Sequence, residues 1–337
     1  MPGIIKQGKV GASTHVMGIV ALSLSVLLSL PMRNARAAVE FQQWLQDLKA
    51  EATSAGIRPQ ILKEALTGLK TIPRVIELDR KQPEFTLTFQ QYLNRVVPAS
   101  RVKKGRKKLA ENRVLLEAIS AKYGVQPKYI VAFWGVESDF GRVTGGFPLI
   151  PALATLAYDG RRSTYFRKEL LNALKILNGN HIKAKAMVGS WAGAMGQCQF
   201  MPSSFLNFAV DYDGDGRKDI WTTKADVFAS AANYLARSGW KKDQTWGRAV
   251  TLPSNFDGNL AGLKTRKLIS EWQKLGVRRL GGSDLPKRAL KASIVLVDGP
   301  GSPSYLVYDN FRTTLKWNRS TYYAVAVGTL AEKIGQQ

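Results

Sequence analysis

The apolar positions of this chain recur mostly at helical spacing. Phe41, Trp44, Leu45 and Leu48 fall three and four residues apart, and Ile57-Arg58-Pro59 breaks the run. Pro59 restarts it from a first helical turn, so residues 39–70 read as two short helices. Residues 77–84 are polar and read as a loop. Phe85, Phe89 and Tyr92 then share a helix face that Pro98 ends. Leu115, Leu116 and Ile119 form the stripe of one long helix over 101–126, and Pro127 opens the next. Ile130, Phe133 or Trp134, and Glu137 lie on one face of that helix.

Two further helices fill 151–179, interrupted by Asp159-Gly160-Arg161-Arg162. Residues 184–201 open as a short helix and become glycine-rich. Helices follow from Pro202 to Val210 and from Ala225 to Ser238, the latter ended by Gly239. Strand signals appear only late, at Ser293–Asp298 and Ser304–Tyr308, before a closing helix over Ser320–Ile334. The pattern predicts a mainly α fold of the α+β kind, with a small β-containing region over 252–315 packed beside the helices. The expected divisions are a targeting segment 1–37, a helical part 38–126, a core 127–251 and a closing part 252–337.

Composition changes this picture at the N-terminus. Lys6 and Lys9 precede an apolar run from Val16 to Pro31, and Ala35-Arg36-Ala37 fits a cleavage site before Ala38. The expectation is an exported, periplasmic protein, soluble after cleavage, with an uncleaved membrane anchor as the alternative. The full chain carries a formal charge of +24. Removing residues 1–37 takes away only Lys6, Lys9, Arg33 and Arg36 and no acid, so the remainder stays strongly basic. Such a chain suits an anionic polymer or surface, and export argues against nucleic acid. Cys198 is the single cysteine, so no intrachain disulfide is possible.

The candidate chemistry centres on Trp134-Gly-Val-Glu137-Ser138-Asp139-Phe-Gly141-Arg142. A carboxylate near an apolar helix end can act as an acid at neutral pH if burial raises its pKa. Phe133 and Trp134, one turn back, supply apolar surroundings, while Ser138 and the Gly141 backbone are placed to orient the group. The alternative is a plain ion pair with Arg142. Asp139, two residues on, points away from Glu137 and does not complete a carboxylate pair. A second constellation, Asp211-x-Asp213-x-Asp215-Gly216-Arg217-x-Asp219, has the spacing of an EF-hand loop. Its twelfth position is Thr222 in place of the usual Glu, and Arg217 would contribute only its carbonyl oxygen. A structural Ca²⁺ is the reading, with an unmetallated acidic turn as the alternative.

Gly-Val-Glu137-Ser138-x-Phe-Gly resembles the catalytic segment of lytic murein transglycosylases. Ser190-Trp-Ala-Gly-Ala-Met-Gly-Gln-Cys-Gln199-Phe200-Met201-Pro-Ser203, the aspartate loop and Asn233-Tyr234-Leu235 resemble the B family of these enzymes. The resemblance runs over residues 40 to 335. It implies a lysozyme-like fold and cleavage of the β-1,4 bond between N-acetylmuramic acid and N-acetylglucosamine, yielding 1,6-anhydro ends. Glu137 would act first as acid and then as base, needing no catalytic cofactor. The resemblance further implies that Ser190 and Gln199 hold the sugar and that Phe200 and Met201 line the floor. Tyr92, Tyr234 and Tyr323 would supply aromatic contacts, and Arg161 and Arg162 a basic pair along the groove. Asp226 would complete a longer metal loop. Where the family pattern has a tyrosine, this chain has Trp317, which keeps a stacking surface but loses a hydroxyl. The expected partners are peptidoglycan strands and other cell-wall enzymes. A hydrolase of the same glycan and a wall-binding module without turnover remain the competing readings.

Overall fold

A computed structural model describes residues 29–81 and 87–336. Phe85 and the apolar run from Val16 to residue 28 lie outside the described residues. The chain divides into two compact units, Met1–Glu51 and Ala52–Gln337. The helix Ser29–Ser54, which begins in the first unit, runs across Ala37-Ala38, and within that unit the Phe41 and Trp44 rings stack 5.7 Å apart. No helix among the described residues is long and apolar enough to cross a membrane.

The second unit is mainly helical, as its periodicity predicts. At its centre lies the helix Pro127–Ser138, opened by Pro at its first turn. Every residue from Tyr129 to Gly135 is buried. A helix that is apolar on all sides needs neighbours on all sides. Helices Thr321–Gly335, Ala99–Glu111, Lys224–Arg237 and Arg113–Tyr123 supply them. The single apolar stripe expected here is therefore an apolar cylinder. Gly135 makes room for the Phe140 ring of the following turn, which a Cβ there would meet at 2.7 Å.

Two expected elements differ. The long helix over 101–126 is two helices, Ala99–Glu111 and Arg113–Tyr123. Asn112 separates them and donates its side-chain amide to the Lys108 carbonyl at 2.8 Å, a local bond that competes with helix continuation. The polar segment expected as loop begins inside the helix Pro73–Arg80. Its inward positions are Val75 and Asp79, and the buried acid masks the helical period.

The β region is an antiparallel five-stranded sheet in the order Lys267–Leu268, Lys291–Leu296, Ser304–Val307, Gly247–Thr251, Arg278–Arg279. The two strands read from sequence are its central hairpin, with Ser293 opposite Val307. Its own core gathers Trp272, Ile294, Leu306 and Val250, and Trp272 Nε1 donates to the Ala292 carbonyl at 3.0 Å. Gly247–Thr251, N-terminal to the expected boundary at 252, belongs to this sheet.

Candidate active site

Glu137 sits in the last turn of the central helix, where the chain must leave helical geometry. Asp139 and Phe140 both adopt positive φ, at 48° and 61°. Two consecutive non-glycine residues in this region carry strain that their surroundings must hold. Asp139 N–H donates to the Gly135 carbonyl and Phe140 N–H to that of Trp134, closing the helix end. Ser138 Oγ accepts the Gly141 N–H at 3.0 Å and lies 2.8 Å from the Gln197 carbonyl, to which it donates. Ser138 thus holds the turn and does not contact the Glu137 carboxyl. Gly141, at φ 82°, leaves no room for a Cβ, which would meet Gln197 Oε1 at 2.3 Å.

The ion pair considered for Glu137 goes elsewhere. Arg142 Nε lies 2.6 Å from Asp139 Oδ2, and Lys104 Nζ approaches the same carboxylate at 3.2 Å. Asp139 is accordingly a bystander with its own cations.

Glu137 is part-exposed, but its inner side faces a small cavity lined by Ile130, Phe133, Trp134, Val227, Phe228 and Ala231. Burial among these groups pushes its carboxyl up to about 7, while hydrogen bonds from Tyr323 and Trp317 pull the other way. Tyr323 donates its hydroxyl to Glu137 Oε1. Trp317 Nε1 donates to the same oxygen at 2.7 Å. The indole N–H of Trp317 therefore makes a hydrogen bond at the position where loss of the tyrosine hydroxyl had put one in doubt. The Trp317 ring is enclosed by Phe133 at 4.7 Å, Tyr234 at 4.7 Å and Phe200 at 5.3 Å between centroids.

The glycine-rich segment after Val188 folds back on itself through bridges of Met195 with Gly189 and with Phe200. Ser190 lies in this loop with its Oγ accepting the Ala194 N–H at 3.0 Å. Gln199, at φ 49°, donates its amide to the carbonyls of Thr144 at 3.0 Å and Gly196 at 2.9 Å. Phe200 is buried, and Met201 is half-buried beside Gly193. Tyr234 donates its hydroxyl to the Lys316 carbonyl at 2.7 Å. Tyr92 packs against Tyr322 at 5.6 Å.

Arg161 and Arg162 are paired, but with a protein acid. Both guanidinium groups bind the buried carboxylate of Asp79, Arg161 through Nε at 2.8 Å. Burial pushes Asp79 up, yet hydrogen bonds from the two arginines outweigh it and hold the carboxyl below its ordinary value.

Of the acidic loop, Asp211, Asp213 and Asp226 come together, each offering a carboxylate oxygen within 4.8 Å of the others. Asp226 is fully buried and accepts the backbone N–H groups of Tyr212 and Asp219, both at 2.7 Å. Asp215 turns instead to Arg217, with 2.9 Å to Nη2, and Asp219 caps Trp221 and Thr222. Three close carboxylates, one of them buried, suit a hard divalent cation such as Ca²⁺.

Gln197 escaped sequence reasoning. Its Oε1 accepts Trp134 Nε1–H at 2.8 Å, and its Nε2 donates to the Trp221 carbonyl at 2.8 Å. Glu169, equally unforeseen, is buried and binds Ser203 through its backbone N–H at 2.8 Å and its hydroxyl at 2.6 Å. The signal for Glu169 is Ser203 just inside a proline-started helix, a position that wants a carboxylate.

Residues 40–332 match the family model described as transglycosylase SLT domain. The chain belongs to this family. It is 32% identical over 295 residues to the membrane-bound lytic murein transglycosylase B of Escherichia coli (strain K12), covering 83% of this chain and 79% of that protein. It is also similar to SltB3 of Pseudomonas aeruginosa, solved in complex with NAG-anhNAM-pentapeptide. That match has 44% identity and a TM-score of 0.85, and covers 87% of this chain and 79% of the other. A lytic transglycosylase of Escherichia coli in complex with calcium aligns at 30% identity with a TM-score of 0.71, over 87% of this chain and 92% of that one. These SLT-domain relatives bear out the lysozyme-like helical architecture expected from the resemblance.

Proposed function

We propose that this chain cleaves the β-1,4 bond between N-acetylmuramic acid and N-acetylglucosamine by intramolecular ring closure, with Glu137 as acid and then base. Membership of the family makes the chain a lytic transglycosylase acting on peptidoglycan strands. The observation that carries the mechanism is the Glu137 carboxyl, poised near neutrality in an apolar setting with no second carboxylate among the described residues that line its cavity.

Protonated Glu137 gives its proton to the glycosidic oxygen as the bond to C1 breaks. The muramyl C6 hydroxyl then attacks C1 and returns a proton to the Glu137 carboxylate. The acid is regenerated and no water is consumed. The 2-acetamido group of the sugar can assist at C1, the role a second carboxylate takes in two-carboxylate enzymes. The SltB3 complexes contain an anhydro-muramyl and a muramyl peptide, which supports the same substrate class here. Ser190, Gln199, Tyr92, Phe200, Met201 and Tyr234 are read as the walls of the sugar path, and Arg161 and Arg162 as its basic flank.

Asp211, Asp213 and Asp226 would hold a structural Ca²⁺, which would tie the acidic loop to the start of the helix Lys224–Arg237. Its chemistry there is charge neutralisation, outside the reaction. The N-terminal targeting pattern supports export and a periplasmic location. Mass spectrometry of digested peptidoglycan tests the reading. Anhydromuropeptides are the expected products, and products heavier by one water would replace it with hydrolysis.

A further inference from the structure

Both hydrogen bonds to the Glu137 side chain arrive at one oxygen. Trp317 Nε1–H and the Tyr323 hydroxyl donate to Oε1, and no described residue bonds Oε2. A protonated carboxyl has one oxygen that carries the proton and one that only accepts. An oxygen already receiving two donors is poorly suited to carry the proton as well. The two donors differ in kind. A tyrosine hydroxyl can rotate and accept, so it tolerates a proton on either oxygen. An indole N–H is a donor only, and a proton on Oε1 would point donor at donor.

The indole is also unable to turn away. Phe133, Tyr234 and Phe200 surround its ring at 4.7, 4.7 and 5.3 Å. Trp317 ends the helix Asp309–Trp317, which packs on Thr321–Gly335, the helix that carries Tyr323.

We propose that Trp317 is a positioning residue that fixes the Glu137 proton on Oε2, and thereby selects the carboxyl edge presented to the glycosidic oxygen. This rests on the reading of Glu137 as the acid. The proton leaves from Oε2, and the C6 hydroxyl proton returns to Oε2. Oε1 remains an acceptor in both steps, so the same N–H steadies the carboxylate that exists between them.

The test compares Trp317→Phe, which keeps an aromatic ring without a donor, with Trp317→Tyr, which restores one. Replacement of Trp317 by benzothienylalanine, which keeps the bicyclic shape without the N–H, is the second variant. Infrared difference spectra of the folded proteins at pH 5 read the Glu137 carbonyl band, assigned by its loss in Glu137→Gln. Loss of the indole donor is expected to move this band to higher frequency, with no turnover required. In turnover of isolated glycan strands, kcat is expected to fall about tenfold while KM stays within about twofold. The alkaline limb of the pH profile should move to higher pH, and Trp317→Tyr should recover most of kcat. If the band and the pH profile match the wild type in both donorless variants, Trp317 is packing alone and the proposal is overturned. Loss of anhydro products in the wild type would instead overturn the mechanism of Glu137 and leave the carbonyl-band result to stand or fall separately.

Discussion

The side-chain oxygen of Gln197 accepts the indole N–H of Trp134 at 2.8 Å. Through its amide nitrogen, Gln197 also donates to the Trp221 carbonyl, and its backbone N–H donates to that of Ile220 at 2.8 Å. One residue therefore links the helix bearing Glu137 to the far end of the acidic loop. Gln197→Ala would leave the Trp134 N–H without its partner and open space beside Gly141. The expected cost is about 2–4 kcal/mol of unfolding free energy, measured by urea denaturation, with a matching loss of kcat.

The raised pKa of Glu137 sets the sign of two pH effects. Its folded value, about 7, lies above the ordinary carboxyl range. The native state thus holds this proton more tightly than the unfolded chain. The associated stability is fully present below the unfolded value and is lost as pH rises through about 7. At 1.36 kcal/mol per unit this amounts to at most roughly 3 kcal/mol, an upper value because one side of the group reaches solvent. Glu137→Gln should therefore raise the melting temperature more at pH 8 than at pH 5. An equal gain at both pH values would contradict the shift. Wild-type kcat/KM should decline above about pH 7, because the acid must begin protonated.

Removal of the carboxyl proton should stop the chemistry without removing the glycan path. Glu137→Gln is expected to abolish cleavage while sacculus binding, read by co-sedimentation, stays near wild type. Turnover within about tenfold of wild type would rule out Glu137 as the acid.

Asp79 makes the opposite case in pH. Its folded value is depressed by the two arginines, so its stability is present above the ordinary aspartate value and is lost as pH falls through the folded one. Asp79→Asn should remove that acid-limb dependence and destabilise the native state at pH 7 by about 2–4 kcal/mol, since two guanidinium groups lose a buried partner. Chemical denaturation from pH 3 to pH 7 checks both parts.

Chelation offers a separate reading of the acidic loop. Calcium should raise the melting temperature of the chelator-treated protein, and Asp226→Asn should cancel that response. A melt unaffected by either chelator or calcium would favour a bare acidic turn.

Much of this arrangement is legible in residue order because it is local. Pro59, Pro127 and Pro202 each mark a helix start, and the Ser293–Asp298 and Ser304–Tyr308 segments announce a hairpin. The glycine-rich segment and the aspartate spacing placed the loop elements. What residue order hides is pairing across distance. Asp79 and Arg161 are 82 positions apart, and Glu137 and Tyr323 are 186 apart. Single long-range hydrogen bonds leave no periodic trace. The short strands Lys267–Leu268 and Arg278–Arg279 were likewise hidden, being two residues each. Residue order shows Trp317 as a stacking surface only, because it reveals an aromatic ring but not the direction of its N–H.

Under the proposed mechanism, with no second carboxylate among the described residues lining the Glu137 cavity, one carboxyl also determines what the cut strand becomes. Ring closure on C6 exchanges one acetal for another, so the severed muramyl unit never exposes a free aldehyde. Each such ring-closing cleavage leaves a blocked terminus that reducing-end reagents cannot label. The number of such termini then counts the ring-closing cuts, written into the polymer itself.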